Sequence, residues 1–337
     1  MAYMYKHFIP ENIAPKGATK IGVYDASGKK ICSVPLGGLT SPTTKKRYSF
    51  GLLSDIHVYK RGEAWVTWNP EEKFDNALTH FEEQGCVFCA HCGDITQTGL
   101  YDEGDATTLR PEQFAVYKDV CDRHPNIPVY GICGNHESYV MPITNNPEEL
   151  QYYTGTDLYY TVEQDNDLFI FIGQPSGNAV MGDDAFRWLT ETLEGNTNRR
   201  CFVFVHSYIE EDSGDAKDLR ENSIFESWGT TKTNAFMELL RNHPNTILFH
   251  GHSHMKFESQ QFDKTANYTE KNGFKSVHVP SCGRSRDVNL TSNTTPEDMS
   301  SSEGYIVDVY DDCIVLNGWN FVGNKPVPLG TYKIDTV

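Results

Sequence analysis

The chain has 337 residues, of which 38% are hydrophobic and 22% charged, enough to bury a large core as one α/β domain or two smaller ones. A formal net charge of −17 argues against broad binding to long nucleic acid or to an anionic membrane, because the electrostatic contribution has the wrong sign. No apolar run approaches the ~20 residues that span a bilayer. Residues 1–12 also lack the apolar stretch of a secretory signal, so the expected compartment is cytoplasmic, with the nine cysteines held as thiols.

Residues 1–47 read as an extension. The runs 20–24 and 30–34 flank Asp25-Ala-Ser-Gly28, a hairpin turn. A lone hairpin is marginal in water, so this one is expected to dock on the body or on a second copy, which would make a homo-oligomer. The body is expected to be 48–337. Its first strand, 49–53, ends at Asp55-Ile-His57. A helix over 70–84 follows, capped by Asn69, with Phe74, Ala77, Leu78 and Phe81 on one face. The run Cys86-Val-Phe-Cys89-Ala-His-Cys92 leads straight into Gly93-Asp94 and reads as a central strand. Alternate residues of a strand face opposite ways, so these thiols do not converge on a metal.

A helix over 111–123 precedes a strand, 127–132, that ends at Gly134-Asn135-His136-Glu137. A strand at 168–172, a helix at 183–193 and a strand at 201–205 lead to His206. A helix at 233–241 and a strand at 246–249 deliver Gly251-His252-Ser253-His254. Beyond it, strands at 276–279, 305–310, 313–317 and 332–334 are expected to pair antiparallel in a second sheet packed on the first. Stretches 37–44 and 288–302 read as linkers, and the sequon at Asn289-Leu-Thr291 is idle in a cytosolic protein.

Five polar motifs thus sit where apolar runs end, the place where open α/β sheets put their sites. They bring together Asp55, His57, Asp94, Asn135, His136, Glu137, His206, His252 and His254. Carboxylates, imidazoles and an amide suit divalent first-row metals better than calcium, and the number of donors exceeds what one ion takes. Two ions sharing a carboxylate fit the count, and such sites recur in phosphoester chemistry. The order D-x-H, G-D, G-N-H-[D/E], H, G-H-x-H resembles the calcineurin-like metallophosphoesterase family, and in length and layout its bacterial cyclic-nucleotide phosphodiesterases.

The resemblance implies a four-layer αββα sandwich, two mixed sheets flanked by helices, with the N-terminal hairpin added. It implies two divalent ions, manganese, iron or zinc. One is held by Asp55, His57 and His254, the other by Asn135, His206 and His252, with Asp94 bridging. A hydroxide between the ions would attack phosphorus, and His136, oriented by Glu137 or another carboxylate, would aid the leaving group. The expected substrate is a small phosphodiester. The alternatives are a phosphomonoesterase, including a protein phosphatase, or a non-catalytic interaction module. Purple acid phosphatases carry tyrosine three residues after the bridging aspartate; Gln97 stands there, which disfavours an iron–tyrosinate pair.

Weaker signals surround the motifs. Arg284 and Arg286 either clamp a phosphate or lie in a solvated loop, and Tyr208 either meets the substrate or packs. The insertion 59–69 carries Trp65 and Trp68, as a stacking cap or as packing, and the acidic run 210–215 reads as a solvated loop. His91, His250 and His278 lie in strands, and His124 and His243 at helix ends; all five read as packing or supporting residues.

Overall fold

The structure, a computed structural model, describes residues 20–24, 30–35, 42, 44–59, 68–98, 106–138, 142–176, 180–208, 230–260, 267–270, 273–287 and 296–336. The turn at 25–28, Trp65, and the segments 210–215 and 289–291 lie outside them. Strands β1 (Lys20–Tyr24) and β2 (Lys30–Pro35) pair antiparallel as a two-stranded sheet of their own.

In the body, β3 (Tyr48–Leu53), α1 (Pro70–Glu83), β4 (Cys89–His91), α2 (Ala106–Arg123) and β5 (Val129–Gly131) come first. They are followed by α3 (Pro147–Thr154), β6 (Tyr159–Gln164), β7 (Asp167–Ile172), α4 (Asp183–Glu194) and β8 (Cys201–Phe204). Next are α5 (Thr230–Arg241), β9 (Thr246–His250), the single turn α6 (Phe257–Gln260), β10 (Tyr268–Thr269) and β11 (Lys275–His278). The chain closes with β12 (Glu303–Val309), β13 (Cys313–Asn320), β14 (Lys325–Pro326) and β15 (Tyr332–Asp335).

Two mixed sheets result. The first runs β14-β13-β12-β3-β4-β5, with β15 also on β13; the second runs β10-β11-β9-β8-β7-β6. In the first, β3, β4 and β5 are parallel, and in the second β7, β8, β9 and β11 are parallel. The expectation that the C-terminal strands build the second sheet is corrected here. β12 pairs antiparallel with β3 and β13 continues the first sheet, while only β11 joins the second, parallel to β9. The five motifs are therefore split, three on strands of the first sheet and two on strands of the second.

Three buried clusters explain the layers. Between the sheets lie Phe50, Phe169, Phe171, Phe202, Phe204 and Phe249, all 0% exposed. Phe50 meets Phe169 edge-on at 5.2 Å across the interface, and Phe171 stacks on Phe204 at 4.5 Å. Each such ring contributes about 1.5–3 kcal/mol by burial. A second cluster puts α1 and α2 on the outer face of the first sheet through Phe74, Leu78, Phe81, Phe114 and Tyr117. A third puts α4 and α5 on the outer face of the second through Leu189, Leu193, Phe236 and Leu240. Cys89 belongs to the outer cluster and Cys92 to the inner one, as their alternation on a strand requires. All described cysteines are free thiols.

Local details differ from the sequence pattern. Asn69 does not cap α1 with its side chain; it is left-handed at φ 50°, and its carbonyl accepts from Lys73 N at 3.0 Å. Helix α2 starts at Ala106 and carries Pro111 inside it. The edge strand β6 and the helix α3 have no counterpart in the periodicity. No described helix is long and apolar enough to cross a membrane.

Candidate metal centre

The motifs lie at the C-terminal ends of β3, β4, β5, β8 and β9, where backbone hydrogen bonds zip the loops together. Asp55 N donates to Gly93 O at 3.0 Å, His57 N to Asp94 O at 2.9 Å and Gly251 N to His206 O at 3.0 Å. This zipper holds five candidate ligands left-handed: Asp55, His57 and Asp94 at φ 51°, His252 at 72° and His254 at 65°. Such a conformation costs roughly 1–2 kcal/mol per non-glycine residue, and here it aims neighbouring side chains inward. Of the three motif glycines, only Gly93 needs positive φ, at 99°. Gly134 is required by close approach instead, since a Cβ would fall 2.2 Å from Asp94 Oδ1.

Two groups of donor atoms converge, Asp55, His57, Asp94 and His254 in one and Asp94, His206 and His252 in the other. Asp94 belongs to both. In the first, His254 Nε2 is 3.1 Å from Asp55 Oδ1 and 3.1 Å from His57 Nε2, and His57 Nε2 is 3.6 Å from Asp94 Oδ2. In the second, His206 Nε2 is 3.2 Å from Asp94 Oδ2, 2.8 Å from Asn135 Oδ1 and 3.0 Å from His252 Nδ1. His252 alone among these side chains keeps partial exposure.

Tautomers follow from carbonyl partners, because a carbonyl only accepts. His206 Nδ1 donates to Cys92 O at 2.7 Å and His254 Nδ1 to Arg284 O at 2.9 Å. In its neutral form each ring therefore turns its Nε2 lone pair toward the centre, as metal ligation requires. Asp55 Oδ1 and Asp94 Oδ2 are buried without a hydrogen-bond donor, an arrangement costly unless a cation sits there.

Charge tells the same story. Burial would raise the Asp94 carboxyl, but the His206 charge outweighs it and holds the group at about 2. His206 is in turn pushed up to about 9, burial opposing and Asp94 prevailing. Burial, then the His206 charge, drive His252 down to about 3, and burial likewise lowers His57 and His254. The carboxylates thus favour positive charge between them, which a divalent ion would supply. The donors fit such an ion.

His136 faces the same space, with Nε2 3.9 Å from Asp94 Oδ2, its Nδ1 donating to Gln97 O at 3.0 Å and its backbone N to Asp94 Oδ1 at 3.0 Å. The orienting group seen here is thus a carbonyl. The Glu137 carboxylate is engaged elsewhere, accepting from Thr96 N and Gly134 N at 2.6 Å each, and burial followed by the Asp94 charge raises it to about 7.

The substrate candidates change character. Arg284 is buried rather than solvated, pairs with Glu297 through Nε at 2.7 Å, and lies 4.6 Å over the Trp68 ring. Tyr208 is 2% exposed and packs beside His252 with ring centroids 5.7 Å apart. The half-buried Arg286 pairs by backbone with His254, N to O at 2.8 Å. His91 is a core residue, its Nε2 3.1 Å from Tyr117 Oη.

Sequence motifs gave no sign of several supports. Arg110 forms a buried bidentate pair with Glu149 and donates to Glu137 O at 2.8 Å. Lys73 Nζ, on α1, donates to Gly283 O at 3.0 Å. These side chains lie far along the chain from what they hold.

A search of curated proteins finds no match. Among solved structures, a dimetal phosphatase from Danio rerio is similar at a TM-score of 0.59 and 13% identity, over 87% of this chain and 100% of that one; the likeness is one of fold. A phosphoesterase from E. coli gives a TM-score of 0.37 at 10% identity, over 86% of this chain and 100% of that one, too low to carry an argument. The family profile described as calcineurin-like phosphoesterase matches residues 48–272. The chain belongs to the calcineurin-like phosphoesterases, metal-dependent hydrolases of phosphoric esters.

Proposed function

We propose that this centre hydrolyses a small phosphodiester in the cytoplasm. The observation that carries the proposal is the pair of imidazole–carboxylate groups sharing Asp94, with His136 left over beside them. Asp55, His57 and His254 would hold one ion, Asn135, His206 and His252 the other, and Asp94 would contact both. Bound there, two divalent ions supply an activated water and neutralise phosphoryl charge; manganese, iron and zinc all suit the donors.

His136 then has a defined task. Its Nδ1 proton is committed to Gln97 O, so Nε2 is the atom that faces the reacting group. Burial lowers its pKa. An anionic phosphoryl group beside it favours the protonated form, which delivers that proton to the departing oxygen, a contribution of roughly 10²–10⁴-fold. Arg284, occupied by Glu297, adds positive field rather than a bidentate clamp. The long arginine-rich blocks of serine/threonine phosphatases are absent from the sequence, which supports a diester substrate.

The test compares bis-p-nitrophenyl phosphate with p-nitrophenyl phosphate on the Mn²⁺-loaded protein, with Asp94→Asn as control. A diester preference lost in the variant is expected. Monoester preference overturns the diester assignment, and no cleavage with any of several metals overturns catalysis.

A further inference from the structure

Beneath the centre lies a second set of polar side chains that are not among the candidate ligands. Ser253, between His252 and His254, is 2% exposed. Its Oγ is 2.5 Å from His278 Nε2 and accepts from Met255 N at 3.3 Å. His278 is itself fixed from several sides. It sits on β11 in register with His250 on β9, the two rings 5.4 Å apart and nearly perpendicular. Its backbone N donates to Asn267 O at 3.0 Å, and its carbonyl accepts from Tyr305 Oη at 3.1 Å.

The two residues flanking Ser253 are both left-handed, at φ 72° and 65°, and they belong to different groups of donors. A loop held in costly conformations on both sides of one residue needs an anchor at that residue. The buried hydroxyl–imidazole bond is that anchor, because β11 is a rigid strand of the second sheet, whereas the loop has left β9. We propose that His278 is a positioning residue for both ions: through Ser253 it fixes the separation and aim of the His252 and His254 imidazoles. It touches neither substrate nor ion. The proposal rests on the two-ion assignment above.

The test is Mn²⁺ titration by calorimetry of the full-length apo protein, alongside the Mn²⁺ dependence of activity. Ser253→Ala is expected to weaken Mn²⁺ binding roughly 10–100-fold, while kcat at saturating Mn²⁺ stays within about 3-fold of wild type because the liganded geometry is recovered. Ser253→Thr, which keeps the hydroxyl, is expected to restore the wild-type Kd. His278→Phe keeps an aromatic ring of similar size, and the double variant is expected to bind no more weakly than either single one, as for two residues acting through one bond. Far-UV circular dichroism and apo-protein melting control for folding. A wild-type Kd in Ser253→Ala, or additive losses in the double variant, overturns the role of His278. A wild-type protein that takes up no metal overturns instead the two-ion assignment beneath it.

Discussion

Around Asp55, two carboxylates and two imidazoles are wholly buried; around His206, the shared Asp94 meets two imidazoles and a neutral amide, and His252 keeps contact with solvent. The first group carries more negative charge and faces it with an undonated oxygen, Asp55 Oδ1. Burial would raise the Asp55 carboxyl, yet the His254 and His206 charges hold it below the usual carboxylate range. The second group sets one carboxylate against the His206 imidazole, whose pKa Asp94 pushes up. The two halves thus differ in charge and in access to solvent. Both depend on Asp94.

That contrast can be broken by removing its shared member. Asp94→Asn is expected to abolish uptake of both ions and lower activity by several kcal/mol in the barrier, ~10³-fold or more. Asn135→Ala and Asp55→Ala are expected to lose one ion each, a difference that metal analysis after dialysis reads directly. Retention of both ions in Asp94→Asn would refute a shared carboxylate. A smaller effect, roughly 10²–10⁴-fold in kcat, is expected for His136→Ala with metal content unchanged; the loss should shrink for esters with good leaving groups.

The smallest effect concerns a tie between the two sheets. Glu303, at the start of β12 in the first sheet, accepts from Phe257 N, just beyond the His254 motif, at 2.8 Å. Burial raises its carboxyl from 4.5 to about 7. The folded state therefore holds the proton more tightly, so the stabilisation is full below about pH 4.5 and is lost as pH rises through about 7. Glu303→Gln keeps the acceptor and cannot ionise. Its melting temperature is expected to exceed that of wild type at pH 8, by about 1–3 kcal/mol of stability or a few degrees, and to match it near pH 5.

Much of the centre was legible because its chemistry is local. Each candidate ligand stands within a few residues of the end of an apolar run, and Asp, Asn and His beside glycine mark turns whatever the fold does elsewhere. The helix α1 was equally legible, since its buried face repeats within fourteen residues. The edge strand β6 was not, because its residues are half-buried or exposed and leave no apolar alternation to read. Arg284 defeated the pattern for another reason: Glu297 lies thirteen residues away, while Trp68 and Gln97 lie far upstream, and only their meeting buries the guanidinium.

The sequence by itself thus marked the donor residues that the structure brings together at strand ends, because hydrophobic runs, turn formers and donor types act over short distances. Tertiary structure decided which sheet each strand joins, with β12 on β3 across some 250 residues of chain, because strand pairing is a long-range choice that neighbouring residues do not encode. It also decided the left-handed backbone at five candidate ligands, which the loop zipper imposes against local preference, and the anchoring of His252 and His254 by a histidine on another strand.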